Sequence, residues 1–173
     1  MMRSEAIATV AAPEGAEALA AGDAGRPLWL LCRAGAHLCA IPIADVIETM
    51  RLLPIEAVSG APPYVRGLAI IRGAPVPVID TGLLVGEQAT RCTRLVTIRT
   101  GTRTVALAAE AVEGVSAIAP DKLGQLPPLL RAGASETIEA IGMLDAELIL
   151  FLRTARIVPD EALDRLEFAG ALS

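Results

Sequence analysis

From residue 27 onward the chain alternates short apolar runs with Gly-, Pro- or Asp-containing breaks, the punctuation of an all-β protein. LWLLCR (28–33) and HLCAIPI (37–43) flank Ala34-Gly35-Ala36 and predict a hairpin. DVIETMRLL (45–53) fits either a strand or a helix and ends at Pro54, and SGAPPY (59–64) reads as a stiff loop. LAIIR (68–72) and PVPVID (75–80), joined at Arg72-Gly73, predict a second hairpin. LVTIRT (95–100) and TVALAAEAV (104–112) predict a third, and VEGVSAI (112–118) continues as a strand. After a Pro-rich connection, TIEAIGML (137–144) and ELILFLR (147–153) close a last hairpin about Asp145-Ala146. PDEALDRLEF (159–168) predicts a short helix, with Pro159 just inside its start and Leu163 and Leu166 on one face. The first 26 residues, mainly Ala, Gly and Glu, carry too little bulky apolar surface to offset their ordering entropy and read as a disordered tail or frayed helix.

Pro75 and Pro77 lack N–H groups on the same side of their strand. That strand is therefore expected at an edge, or leaving a barrel along those residues. Gly73 suits the third position of a type II turn, which leaves Arg72 second and exposed at the hairpin tip. No fixed-period repeat is visible, although each half contains paired hairpins.

Composition narrows the function classes. At 173 residues and 53% hydrophobic the chain can build a core for one domain or two small subdomains. A net charge of −5 and 2% aromatic residues argue against nucleic-acid binding, and all but one of the 15 basic residues are Arg. Residues 6–12, AIATVAA, weakly imitate a signal peptide, but Glu5 and Pro13 bound a short Ala-rich run; a cytoplasmic protein without membrane insertion is expected. Cys32, Cys39 and Cys92 form neither an even disulfide set nor a CxxC pair, and read as buried thiols. Cys32 and His37, on neighbouring strands of the predicted hairpin, are the Cys–His pair considered for catalysis. No GxSxG elbow, P-loop or GxGxxG accompanies them, so the sequence offers no enzyme and no nucleotide site.

Residues 60–81, GAPPYVRGLAIIRGAPVPVIDT, resemble the signature stretch of the bacterial chemotaxis coupling family, CheW. The matching residues are Pro62, Tyr64, Val65, Gly67, Ile71, Arg72, Gly73, Pro77, Val78, Ile79 and Asp80. The flanking hairpins follow in the family's order over about residues 28–158. The resemblance implies an all-β fold of two intertwined five-stranded SH3-like β-barrels with a groove between them and a short C-terminal helix. With the tail and helix read above, it divides the chain into the tail 1–26, a CheW-like unit 27–158, and a helix and tail 159–173. It implies a non-catalytic scaffold, without cofactor or metal, that bridges the regulatory domain of a CheA-type histidine kinase and the cytoplasmic tip of a methyl-accepting chemoreceptor, recruited to membrane receptor arrays.

Carried over residue by residue, the resemblance gives Val46, Glu48, Gly67 and Ile71 to receptor binding and Arg72 and Gly73 to kinase or receptor contact. Each has a plainer reading. Val46 and Glu48 fit a half-buried strand with a polar rim, Arg72 a solvated turn, Gly67 and Gly73 backbone necessities, and Tyr64 a core anchor. The chain departs from the family pattern at Ile70 (usually Asn), Glu110 (usually Asp), Ala140 (usually Gly) and Arg153 (often acidic). Those departures leave room for a divergent array component. A small barrel binding a ligand inside, lined by Arg72 or Glu110, is the alternative from another class.

Overall fold

The computed structural model describes residues 25–86, 88–128, 136–158 and 160–170. The expected tail 1–26 falls almost wholly outside them. Among the described residues ten strands form two five-stranded sheets. The first sheet has the order β8-β1-β2-β10-β9, from β1 (Leu28–Ala34), β2 (His37–Pro42), β8 (Ala111–Ala117), β9 (Ile138–Leu144) and β10 (Glu147–Leu152). The second has the order β3-β6-β7-β5-β4, from β3 (Val46–Arg51), β4 (Val65–Ile71), β5 (Ala74–Asp80), β6 (Arg94–Thr100) and β7 (Arg103–Ala109). Each sheet curls until the segment after its first edge strand bonds back to its other edge. Glu56 and Leu68 exchange N–H···O bonds of 2.8 Å in the second sheet, and Gly124 and Ile141 exchange bonds of 2.7 and 3.2 Å in the first. Helix α1 (Thr81–Leu84) follows β5, and α2 (Asp160–Gly170) ends the described chain.

The two sheets are internal copies. Hairpin β1–β2 corresponds to β6–β7, β9–β10 to β4–β5, and β8 to β3, with β10 parallel to β2 just as β5 is parallel to β7. Equivalence extends to single bonds. The Asp80 N–H donates to the Tyr64 carbonyl, and the Arg153 N–H to the Thr137 carbonyl, both at 2.7 Å. Hairpins β4–β5 and β9–β10 each bulge, at Arg66 and Glu139. The bulged residue reaches the residue ending the neighbouring strand, as Arg66–Asp80 at 2.7 Å and Glu139–Arg153 at 3.9 Å. The signs are reversed between the copies, and the equivalent hairpins occur in a different order along the chain.

Three apolar clusters follow from strand alternation. Trp29, Leu31, Leu38, Ala40, Ile149 and Phe151 fill the first barrel, where Trp29 and Phe151 meet edge to face at 4.8 Å between ring centroids. Ala69, Ile71, Val76, Val78, Leu95, Ala106 and Ala108 fill the second. The opposite strand faces supply Leu30, Cys32, Ile41, Ile79, Val96, Ile98, Leu107, Leu150 and Leu152 to a third cluster, which contains residues of both sheets. Leu163 and Leu166 of α2, each 2% exposed, join this third cluster. The C-terminal helix is thus part of the joint between the barrels instead of a lid on one barrel end, because its Leu face continues the apolar surface that the two sheets present there.

Three local expectations are refined. Residues 45–53 resolve into a 3-10 turn, Ile43–Asp45, followed by strand β3. The run 104–112 is two strands, β7 and β8, interrupted at Glu110, whose N–H bonds to the Arg33 carbonyl at 2.8 Å. Strand β5 lies between β7 and β4 instead of at the sheet edge. Its proline-bearing half nevertheless pairs only with β4, since the parallel register with β7 begins at Val78. Pro75 and Pro77 pair with Ile70 and Leu68. These positions do not exchange ladder bonds in a two-residue hairpin, so the missing N–H groups point to the open side.

Candidate functional site

The turn at Arg72-Gly73 organises the site. Arg72 has φ 51° and Gly73 φ 79°. Positive φ at both central residues makes this a type I′ turn, not type II, because the primed turn matches the right-handed twist of β4 and β5. The conformation carries the Arg72 side chain outward, 78% exposed, and across to β3. There its Nε and Nη2 donate to the two carboxylate oxygens of Glu48 at 2.7 and 2.8 Å. This two-point contact holds the Glu48 carboxyl below its usual range and raises the guanidinium. The structure thus joins Glu48, expected as a receptor contact, to Arg72, expected as a kinase or receptor contact.

The neighbours of this clamp divide into buried and presented residues. Strand β3 bulges at Ile47, between Val46 paired with Ile98 and Glu48 paired with Thr97. Val46 is half-buried and packs against the cluster shared by the two barrels. Ile47 is 47% exposed. On β4, Val65, Gly67, Ala69 and Ile71 face inward, while Ile70 is 64% exposed. Ile71, one of the expected receptor contacts, thus lies in the interior of the second barrel. Gly67 is buried beneath the barrel closure: at φ 142°, a Cβ added there would lie 1.9 Å from the Glu56 carbonyl oxygen. Gly73 has open space around it. Ile47, next to Glu48 in the chain, and Ile70, two residues before Arg72, are exposed apolar residues to which the motif assigns no role. Strict alternation along β4 carries the signal for Ile70; for Ile47 the signal is hidden by the bulge.

Behind the hairpin, Asp80 is fully buried. Its carboxylate accepts from Arg66 Nε at 2.8 Å, from the Leu83 N–H at 3.2 Å, and from the Thr90 N–H and hydroxyl at 3.1 and 3.0 Å. Burial pushes the carboxyl up, but the Arg66 bond and the backbone and hydroxyl donors outweigh it and hold the group below its usual range. Asp80 thereby ties the segment 81–90 to the base of the β4–β5 hairpin.

The candidate nucleophile Cys32 lies buried within the β1–β2 hairpin. Cys32 pairs across the strands with Cys39, and His37 pairs with Ala34. Both thiols are buried; desolvation raises Cys32 well above the thiol range and pushes Cys39 up to about 12. Tyr64 is half-buried against the shared cluster. An open groove of about 510 Å³ lies on the first barrel, lined by Lys122, Gly124, Ile141, Gly142, Met143 and Leu148. Neither Arg72 nor Glu110 lines it. Among the described residues no helix is long and apolar enough to cross a membrane.

Comparison with known proteins fits this geometry. A solved structure, the scaffolding protein TtCheW from Thermoanaerobacter tengcongensis, is similar in fold: TM-score 0.65 at 20% identity, covering 74% of this chain and 89% of that one. A curated relative, the chemotaxis protein CheW of Klebsiella aerogenes, is 20% identical over 144 residues, which is 82% of this chain and 87% of the relative. The CheW-like domain family model matches residues 28–162, from the first residue of β1 into α2. With both barrels and the start of the helix inside that match, the chain belongs to the CheW-like domain family.

Proposed function

We propose that this chain is a non-catalytic coupling scaffold of a bacterial chemosensory array, holding a CheA-type histidine kinase regulatory domain against the cytoplasmic tip of a chemoreceptor. The reading is carried by the family match over residues 28–162. The working unit is residues 27–158, acting in the cytoplasm and recruited to membrane-bound receptors. Such a scaffold needs no chemistry. It supplies two binding surfaces in fixed relative geometry, so that one engaged partner raises the effective concentration of the other. The shared apolar cluster between the barrels gives that rigidity, since closely packed cores transmit displacement instead of absorbing it.

In this reading receptor recognition belongs to the Glu48–Arg72 clamp together with the exposed Ile47 and Ile70. Arg is enriched where binding energy concentrates, and an exposed ion pair contributes little to folding, so the clamp is free to serve a partner. A receptor tip with an apolar stripe next to a charge would meet both kinds of group here. The test is titration calorimetry of the full chain against a receptor-tip fragment and a kinase regulatory domain. Arg72→Ala and Glu48→Arg are expected to weaken at least one of the two affinities about tenfold or more while melting stays unchanged. Unchanged affinity for both partners in both variants contradicts the placement. A parallel loss of binding and melting temperature assigns the pair to the fold instead.

A further inference from the structure

Arg33, Arg66, Arg72, Arg103, Arg153 and Arg156 each form an ion pair with an acid. Arg51, which ends β3, and Arg94, which begins β6, do not. They are register partners on neighbouring strands, both are exposed, and among the described residues neither pairs with a carboxylate. The next pair along, Leu52 and Thr93, is joined by an N–H···O bond of 3.1 Å, so Arg51 and Arg94 form a non-hydrogen-bonded pair. Side chains start closest in such pairs, with Cβ atoms about 4.5–5.5 Å apart, and two like charges placed there repel.

The fold does not require this arrangement. Because β1 corresponds to β6 and β8 to β3, the same place in the first barrel is held by Leu28 and Ala117, which are also register partners. An uncharged pair thus serves the same junction between strands. Arg91, also exposed, stands three residues before Arg94 and adds a third positive charge to this part of the chain. The second barrel therefore gathers cations at the end of β3 and the start of β6, in a chain whose net charge is −5.

We propose that the Arg51–Arg94 pair docks an acidic helix of a partner protein, in which two carboxylates one helical turn apart each accept from one guanidinium. Charge sets the sign of the partner, since a bound anion relieves the repulsion between the two cations. The planar guanidinium fork also suits a carboxylate. Spacing sets the partner's form. Residues at i and i+4 of a helix hold their Cβ atoms about 5–6 Å apart, close to the cross-strand spacing, whereas same-face residues of an extended strand stand about 7 Å apart. A net charge of −5 and 2% aromatic residues disfavour a nucleic acid in its place. The inference is independent of the kinase and receptor reading above, since it rests on this pair and its counterpart in the first barrel.

The experiment is a nuclear magnetic resonance titration of the full chain that follows the arginine Nε–H signals. The probes are a stapled alanine-based helical peptide with Glu at i and i+4, the same peptide with Glu at i and i+2, and inorganic phosphate. The Arg51 and Arg94 signals are expected to shift saturably with the first peptide, less so at high salt. Affinity should fall at least tenfold for the second peptide, whose carboxylates leave the helix on different sides, and for phosphate. The double variant Arg51→Gln/Arg94→Gln should lose binding to the same extent. Its melting temperature, and that of each single variant, should be unchanged or higher, because the substitutions remove a repulsion. Absence of a shift with the first peptide, equal affinity for the two peptides or for phosphate, binding retained by the double variant, or a lowered melting temperature would each overturn the proposal.

Discussion

Replacing Gly67 with Ala separates a backbone role from a contact role at a residue given to receptor binding on resemblance. At φ 142° the backbone occupies a region essentially confined to glycine, and holding Ala there costs about 1–3 kcal/mol. The new Cβ would also lie 1.9 Å from the Glu56 carbonyl oxygen and 2.6 Å from its carbon. Both are backbone atoms, so no rotamer change relieves the overlap. Moving Glu56 aside breaks its two 2.8 Å bonds with Leu68, the closure of the second barrel, at about 0.5–1.5 kcal/mol each. The combined cost is about 3–5 kcal/mol, or a fall in Tm of roughly 10 °C for a chain of this size. Gly73→Ala provides the control: its φ is also positive, but nothing lies within 4 Å, so only the conformational cost of about 1–2 kcal/mol remains. Thermal unfolding followed by circular dichroism measures both. Native-like melting of Gly67→Ala would refute the steric argument, and if receptor binding were lost at the same time, Gly67 would be a contact.

Other consequences are equally open to measurement. Asp80→Asn keeps the shape but removes the charge facing Arg66, and should destabilise by about 2 kcal/mol in urea titration. Because the folded carboxyl sits below its ordinary range, its contribution is fully present above a pH of about 4 and is lost as pH falls through the depressed value. The acid-unfolding midpoint should therefore move to higher pH on substitution; an unmoved midpoint contradicts the assignment. Leu163→Ala removes a side chain 2% exposed in the joint between the barrels and should cost about 3 kcal/mol, whereas a helix lying loosely on the surface would cost almost nothing. Cys32 and Cys39 should resist alkylation until the protein unfolds, with half-buried Cys92 reacting first. Fast native labelling of Cys32 would revive the catalytic alternative.

Much of the fold is legible because it depends on local signals. Hairpin breaks at Gly35-Ala36, Arg72-Gly73, Gly101-Thr102 and Asp145-Ala146 place eight of the ten strands, and the alternation between them separates inward from outward residues. What escapes sequence reading is non-local. The bulges at Ile47 and Arg66 shift the register without any compositional mark. The internal duplication is concealed because equivalent hairpins stand in a different order along the chain and some equivalent positions exchange charge, as in Arg66 with Glu139 and Asp80 with Arg153. At the site, Glu48 and Arg72 are both recognisable singly, but their contact depends on the curl of the second sheet, which brings the β4–β5 turn over β3. Ile71 and Ile70 show the limit of motif transfer: the motif marks the buried neighbour, and alternation marks the presented one.

A coupling scaffold must hold both partners at once, and one titration decides whether this chain does. The full chain is first saturated with the kinase regulatory domain, and the receptor-tip fragment is then added in the calorimeter. Simultaneous binding, with a one-to-one-to-one complex confirmed by light scattering, is the expected result. Displacement of the kinase domain by the receptor tip, or no heat of binding in the second step, would contradict the coupling role.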